Sequence, residues 1–227
     1  MSSNVYIVSA ARTPMGSFGG ALSSFSAVQL GSFAIEGALK RAKVSPAKVQ
    51  EVLMGNVVSA GLGQAPARQA ALGAGIGNNV PCTTVNKVCS SGMKSIMIGA
   101  ANIMIGQADI VVAGGMESMS NIPFYAPKMR WGNKFGNAQF IDGLVQDGLQ
   151  DAYGKMPMGV CADATAKKYG FTREQQDAYA IQSYERASAA TDNGSFADEI
   201  ISVSVPQRRG NAIIVAQDEE YKKVKID

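Results

Sequence analysis

One run restricts the possible folds of this sequence more than any other. Residues 109–115 read Asp-Ile-Val-Val-Ala-Gly-Gly, an apolar run that closes on two glycines. Such a run is typical of a strand covered on both faces, as in a parallel sheet. Strand-like and helical patterns alternate before it, with strands at 5–9, 52–57 and 82–86 and helices at 26–42, 66–73 and 95–104. This alternation predicts an α/β fold with a mostly parallel sheet, and the apolar 95–104 pattern predicts a buried helix.

The character of the sequence changes near Ser120. Residues 121–154 are rich in Gly, Pro, Asn and aromatic residues with weak periodicity, which predicts a long, partly irregular excursion. The elements predicted after it are helices at 158–169 and 173–191, the second opened by a capping box from Thr172 to Gln175, and paired strands at 200–205 and 212–215. We therefore expect two parts, residues 1–119 and an α+β part at residues 120–227.

Composition excludes several classes of protein. The net charge of +3 comes from scattered Lys and Arg without a basic stripe, which argues against binding of nucleic acid. No run approaches the roughly 18 apolar residues of a membrane span. The first predicted strand starts at Val5 and leaves no room for a leader peptide. We expect a cytoplasmic protein, or a protein of the mitochondrial matrix if a presequence is removed.

Cys89 is the candidate nucleophile. It lies between the predicted strand 82–86 and the next helix, where free backbone N–H groups and the helix dipole favour the nucleophilic thiolate. The alternative is a buried structural cysteine, which is how we interpret Cys82 and Cys161. The three cysteines form no Cys-x-x-Cys pair and no metal-like spacing, which disfavours a thiol redox protein and a disulfide framework.

The sequence contains no histidine. Acid–base catalysis by imidazole and metal ligation by histidine are therefore excluded within these residues. If Cys89 is a nucleophile, its base is not a histidine of this sequence.

Five segments together resemble the thiolase family. They are SAARTPMGSF (9–18), GQAPARQ (63–69), VNKVCSSG (85–92), AGGMESMS (113–120) and QDAYAIQSY (176–184). The similarity is greatest to short-chain acetyl-CoA acetyltransferases, also called acetoacetyl-CoA thiolases. It implies an incomplete N-terminal domain at residues 1–119, with a mixed sheet and covering helices. It also implies a loop domain at residues 120–227 that binds coenzyme A and contributes to a homotetramer.

The resemblance implies a Claisen condensation and its reversal. Cys89 would accept an acetyl group from one acetyl-CoA, and a second acetyl-CoA, deprotonated at its methyl carbon, would attack that thioester to give acetoacetyl-CoA. The backbone N–H of Cys89 would donate to the thioester oxyanion. Coenzyme A is then substrate and product, and no metal redox or nucleotide cofactor is required.

Five further positions match binding residues of the family. Met158 matches a methionine that borders the acyl pocket in short-chain thiolases, and Tyr184 matches the tyrosine that contacts both the cation and coenzyme A in the potassium-activated subgroup. Lys223, Val224 and Lys225 match a segment that contacts the nucleotide of coenzyme A. Lys223 replaces a common arginine and loses its planar guanidinium. From the residues alone, plainer interpretations stay open: a core methionine, a surface aromatic and a solvated charge run.

Three thiolase motifs are absent from the sequence. Gly-His-Pro, Asn-Glu-Ala-Phe and Cys-x-Gly-Gly-Gly carry the activating histidine, the oxyanion asparagine and a second cysteine in the family. We therefore expect the N-terminal part of a thiolase, without the C-terminal domain and with an exposed apolar face. The alternative function is an inactive module that binds coenzyme A or mediates oligomerisation.

Overall fold

The computed structural model describes residues 4–223, and its centre is a three-stranded parallel sheet. The strands are β1 (Glu51–Gly55), β2 (Cys82–Val85) and β3 (Val111–Gly115), in the order β2-β1-β3. Leu53 of the central strand lies opposite Thr83 on one side and Ala113 on the other. The predicted α/β class is confirmed. Because the strands are parallel, their carboxyl ends meet at one edge of the sheet.

Three helices cover this sheet on its two faces. They are α1 (Ala27–Ala42), α2 (Pro66–Gly73) and α3 (Ser91–Met104), all close to their predicted bounds. The main core joins α1 and α2 to the face of β1 that carries Val52 and Met54, which are 0% and 2% exposed. Leu53 points to the other face and meets α3 beside Gly99. The sheet therefore separates α2 from α3.

The second half of the chain also has the predicted elements. Residues 121–154 are largely irregular, apart from β4 (Phe124–Tyr125), β5 (Ile141–Asp142) and short helical segments at Met129–Trp131 and Val145–Leu149. They are followed by α4 (Met158–Tyr169), α5 (Arg173–Asp192) and an antiparallel pair, β6 (Val203–Val205) with β7 (Ile213–Val215). The predicted capping box of α5 forms between Thr172 and Gln175. No helix in the described part of the chain could cross a membrane.

A small second core ties the two halves together. Val203 and Val205 of β6 are buried against Leu22 and Phe25, which precede α1. By contrast, none of the residues of α4 and α5, all of which the structure describes, is buried. These two helices therefore gain little of their stability from packing within this chain.

The strand predicted at residues 5–9 does not form. The structure assigns no strand there, and Tyr6, Ile7 and Val8 are 74%, 81% and 74% exposed. The pattern is apolar enough for a strand, but a strand needs hydrogen bonds from a neighbour. Within residues 4–223 no strand lies beside it to supply them.

Residues 95–104 form the predicted helix, but the helix is not buried. α3 packs on the sheet through Ser91, Ser95 and Gly99, and its other side is open. The exposed apolar face of α3 consists of Met93, Ile96, Met97, Met104 and Ile105. β3 is likewise only half-buried and not covered on both faces, and it is an edge strand of the described sheet.

We expect the exposed apolar face of α3 to bind an anilinonaphthalene dye in the isolated chain, because contiguous apolar surface of this kind recruits such dyes. Met97→Glu should lower the dye fluorescence, since it places a charge in the middle of the face. Tyr179→Glu, at an exposed apolar position on α5, is the control and should leave the fluorescence unchanged. A cooperative unfolding transition without dye binding would contradict this expectation.

Candidate active site

Cys89 lies in the turn between β2 and α3, at the carboxyl edge of the sheet. α3 begins at Ser91 with Ser90 as its N-cap, so Cys89 directly precedes the cap, as the sequence predicted. Cys89 is exposed. Cys89 is therefore accessible at the start of a helix. The N–H groups of Ser90 and Ser91 there donate to the carbonyls of Lys87 and Val88, at 3.2 and 3.0 Å.

Two polar side chains hold this turn in shape. The amide oxygen of Asn86 accepts from the backbone N–H of Val88 at 3.0 Å. Ser91 Oγ accepts from the N–H of Lys87 at 2.8 Å and donates to the carbonyl of Val88 at 2.6 Å. Val88 has a φ of +51°, which is unfavourable for a β-branched residue. The turn thus holds a strained residue immediately before the cysteine.

Glycines allow the start of α3 to lie directly against the sheet. A Cβ at Gly55, the last residue of β1, would lie 2.6 Å from the backbone N of Gly92. A Cβ at Gly115, the last residue of β3, would lie 3.4 Å from Gly92 Cα. The close backbone approach at Gly55 therefore fixes where α3 begins and where Cys89 lies.

Cys89 borders a cavity of about 430 Å³. The other walls come from the ends of β1 and β3 and from residues 144–149, including Leu144 and Leu149. Most lining residues are apolar or glycine, and Glu117 is the one with a charged side chain. A concave, mostly apolar space of this volume with few polar groups is typical of a small-molecule site.

Glu117 and Asn56 form a polar network in the cavity wall. Glu117 Oε2 accepts from the N–H of Val57 at 2.7 Å, and Oε1 accepts from Asn56 Nδ2 at 2.8 Å. Asn56 is 1% exposed, and its Oδ1 accepts from Ser59 Oγ at 2.6 Å. Burial raises the pKa of Glu117, and the hydrogen bonds from Val57, Val58 and Asn56 partly oppose this. The network fixes the chain after β1 to the chain after β3.

Sequence reasoning assigned no role to Asn56 or Glu117. Both lie just past the carboxyl ends of neighbouring parallel strands, the position where open α/β sheets place their functional groups. The signal was therefore a polar residue directly after a strand-like run. Its use required knowing that β1 and β3 are neighbours.

The other predicted site residues lie away from this cavity. Met158 is the first residue of α4 and is 44% exposed, and Tyr184 is half-buried on α5. Lys223 is exposed, with an ion pair to Glu220 at 3.4 Å. None of the three lines the Cys89 cavity. The remaining two predicted positions, 224 and 225, lie outside the described residues.

Among residues 4–223, no group of three or more Cys, Asp or Glu side chains is arranged to hold a metal ion. The proposed potassium contact of Tyr184 rests on the resemblance alone.

We expect iodoacetamide to modify Cys89 faster than the other two cysteines at neutral pH. Cys89 is exposed, whereas Cys82 and Cys161 are only partly exposed. Burial also raises the pKa of the Cys82 thiol, although nearby Arg68 opposes this, so less of its reactive thiolate is present. A mass-spectrometric time course of the three peptides measures the order. Similar rates in denaturant are the control, and faster modification of Cys82 in the native chain would contradict the expectation.

Comparisons with known proteins identify the family. Residues 5–227 match the thiolase N-terminal domain. The chain is 57% identical over 224 residues to a probable acetyl-CoA acetyltransferase of Dictyostelium discoideum, covering 99% of this chain and 54% of that protein. It is 56% identical over 228 residues to an acetyl-CoA acetyltransferase of Schizosaccharomyces pombe, covering 100% of this chain and 58% of that protein.

A solved structure supports the same assignment. The crystal structure of the Acat5 thiolase from Ascaris suum in complex with coenzyme A matches with a TM-score of 0.91 and 47% identity, over 98% of this chain and 56% of that one. The chain therefore belongs to the thiolase family. Its similarity within the family is to acetyl-CoA acetyltransferases, and it spans little more than half the length of these relatives. Related acetyl-CoA acetyltransferases include a cytosolic and a mitochondrial protein.

Proposed function

We propose that this chain carries the acyl-accepting part of an acetyl-CoA C-acetyltransferase, with Cys89 as the nucleophile. The observation that supports this most is the exposed Cys89 at the head of α3, bordering a largely apolar cavity. The names of the relatives supply the substrate, acetyl-CoA. Cys82 and Cys161 have neither the exposure nor a place in the cavity wall.

The proposed chemistry is two acyl transfers through one sulfur. Cys89 Sγ, as thiolate, attacks the thioester carbon of acetyl-CoA, and the C–S bond to coenzyme A breaks, releasing its thiolate. A second acetyl-CoA, having lost a methyl proton to a base, attacks the acetyl group on Cys89. The products are acetoacetyl-CoA and the free Cys89 thiolate. The backbone N–H of Cys89 is the proposed donor to the oxyanion of each tetrahedral intermediate.

The binding residues are proposals that rest on the resemblance. We assign Met158 to the acyl pocket, Tyr184 to coenzyme A and a potassium ion, and Lys223 to the nucleotide phosphates. The Ascaris suum thiolase was solved with coenzyme A, which supports this ligand. Three further proposals rest on the same resemblance. The chain divides into domains at residues 1–119 and 120–227, the complete protein is a homotetramer, and it is cytoplasmic.

The absence of histidine favours one alternative. Without an imidazole base the chain would bind coenzyme A, or associate with other subunits, without catalysis. Exchange of labelled coenzyme A into acetyl-CoA distinguishes the acyl-accepting function from the inactive module, because exchange requires only the first acyl transfer and its reversal. We expect exchange that Cys89→Ser abolishes and Cys161→Ser leaves intact. Binding of coenzyme A without exchange would support the inactive module.

A further inference from the structure

A glycine-rich loop near the N-terminus is fastened to the last described segment of the chain. Asp218 Oδ1 accepts from the N–H of Met15 at 2.8 Å. Glu219 Oε2 accepts from the N–H of Ser17 at 2.7 Å and of Ala21 at 3.2 Å, and the Glu219 N–H donates to the carbonyl of Met15 at 3.1 Å. We call Asp218 and Glu219 the acidic clasp. It joins residues about 200 positions apart in the chain.

The loop is shaped to receive these carboxylates. A Cβ at Gly20 would collide with Glu219 Oε2, so a larger residue there would expel the carboxylate. The backbone N–H groups of Ser17 and Ala21 converge on Glu219 Oε2, and backbone N–H groups that converge on one oxygen favour a negative charge there. In this chain the anion is the carboxylate of Glu219, so the loop holds residues 218–219 in place and does not bind an external anion.

Arg12 binds the acidic clasp from the other side. Its Nη1 and Nη2 donate to the two oxygens of Asp218 at 2.7 and 3.0 Å, and its Nε donates to Glu199 Oε1 at 2.6 Å. The guanidinium also lies 5.1 Å from the ring centre of Phe196. Planar bidentate pairing of this kind fixes orientation as well as distance. Arg12 thus links three segments: the N-terminal loop, the chain before β6 and the acidic clasp.

The pKa of Asp218 agrees with a close ion pair between Arg12 and Asp218. Burial alone would raise the pKa of Asp218, but the hydrogen bonds from Arg12 and from the N–H of Met15 outweigh it and hold that pKa below its ordinary value. The Asp218 side chain is 11% exposed, so solvent screens the pair only partly.

The acidic clasp ends four positions before Lys223. A single helical turn, Glu220–Lys222, connects them, so the position of Asp218 and Glu219 sets the position of the Lys223 backbone. We propose that Arg12, Asp218 and Glu219 are positioning residues for the nucleotide end of coenzyme A. The inference rests on the proposed function, which assigns Lys223 to that ligand. Without the acidic clasp, Lys223 would sample many positions and only a fraction of chains would present it correctly.

The test is titration of the 227-residue chain with coenzyme A and with pantetheine, which lacks the nucleotide. Arg12→Lys keeps the charge and loses the bidentate pair. We expect Arg12→Lys to weaken binding of coenzyme A about tenfold, because a smaller fraction of chains presents Lys223 correctly. Binding of pantetheine should be unchanged. Glu219→Gln should act in the same direction. Arg173→Lys makes the same substitution in an exposed pair, to Asp177 on the surface of α5, and is the control without effect.

The outcomes separate this inference from the proposed function. Equal loss of both ligands in Arg12→Lys would mean a general structural role and would overturn the inference. Normal coenzyme A affinity in Arg12→Lys and Glu219→Gln, with a loss in Lys223→Ala, would overturn it while leaving the proposed function intact. Full affinity in Lys223→Ala would overturn the assignment of Lys223 and with it this inference, while acyl transfer through Cys89 would stand. Failure of the unmodified chain to bind coenzyme A would overturn both.

Discussion

Gly55→Ala is expected to destabilise the chain by about 3 kcal/mol and to displace Cys89 from its cavity. The added Cβ would lie 2.6 Å from both the backbone N of Gly92 and the carbonyl carbon of Ser91. These are backbone atoms at the start of a helix, which cannot rotate away as a side chain can. Overpacking at such a contact costs about 1–3 kcal/mol, and a rigid backbone partner favours the upper end.

Denaturant unfolding and Cys89 modification measure the two effects of Gly55→Ala. Gly114→Ala is the matched control, because its Cβ would meet Met54 Sδ at an ordinary 3.5 Å. We expect the control to stay within about 1 kcal/mol of the unmodified chain. Equal stability of the two variants, with unchanged Cys89 modification, would show that the glycine contact does not set the start of α3.

Asn56→Asp is expected to cost about 3 kcal/mol of unfolding free energy at neutral pH. The substitution replaces the Nδ2 donor, 2.8 Å from Glu117 Oε1, by an oxygen that carries negative charge. It also removes the donor to the carbonyl of Met116 at 3.1 Å. Leaving a buried polar group without its hydrogen-bond partner costs about 1–3 kcal/mol and more for a charged group, and the added carboxylate repulsion favours the upper end.

The cost of Asn56→Asp should depend on pH in a stated direction. Burial already raises the pKa of Glu117 in the folded chain. The stability that Glu117 contributes is therefore present at low pH and is lost as the pH rises through its folded pKa. A second carboxylate raises the folded pKa values further. The loss of unfolding free energy in Asn56→Asp, relative to the unmodified chain, should therefore shrink as the pH falls below the folded pKa values of the two carboxyl groups.

Unfolding curves between acidic and neutral pH test this expectation. Asn133→Asp is the control, because Asn133 is exposed and donates only to the nearby carbonyl of Gly136 in the described chain. It should cost little at any pH. A cost of Asn56→Asp that does not change with pH would exclude repulsion between the two carboxylates.

Local signals in the sequence were sufficient for the helices. Pro66 occupies the first turn of α2, α5 begins with the capping box predicted at Thr172, and α1 begins at the predicted Ser26, which also forms a capping box. These signals act over three or four residues and need no tertiary partner. The strand predicted at residues 5–9 was wrong because a strand, unlike a helix, needs a partner elsewhere in the chain. An apolar pattern indicates that the segment could pair, but not that a neighbouring strand is present.

The candidate site was only half predictable for a related reason. Cys89 carries its own signal, a cysteine between a strand and a helix. Asn56 and Glu117 become partners only through the strand order, and Arg12 and Asp218 are 206 residues apart. Such contacts follow from topology, which local patterns do not encode.

The central claim is that Cys89 accepts the acetyl group. The most direct test is to incubate the native 227-residue chain with acetyl-CoA, quench it in acid and map acetylated peptides by mass spectrometry. Our account predicts an acetyl thioester on the peptide that contains Cys89, absent in Cys89→Ser and retained in Cys82→Ser. Acetylation of Cys82 or Cys161 in its place, or no acetylation of a chain that binds coenzyme A, would contradict it.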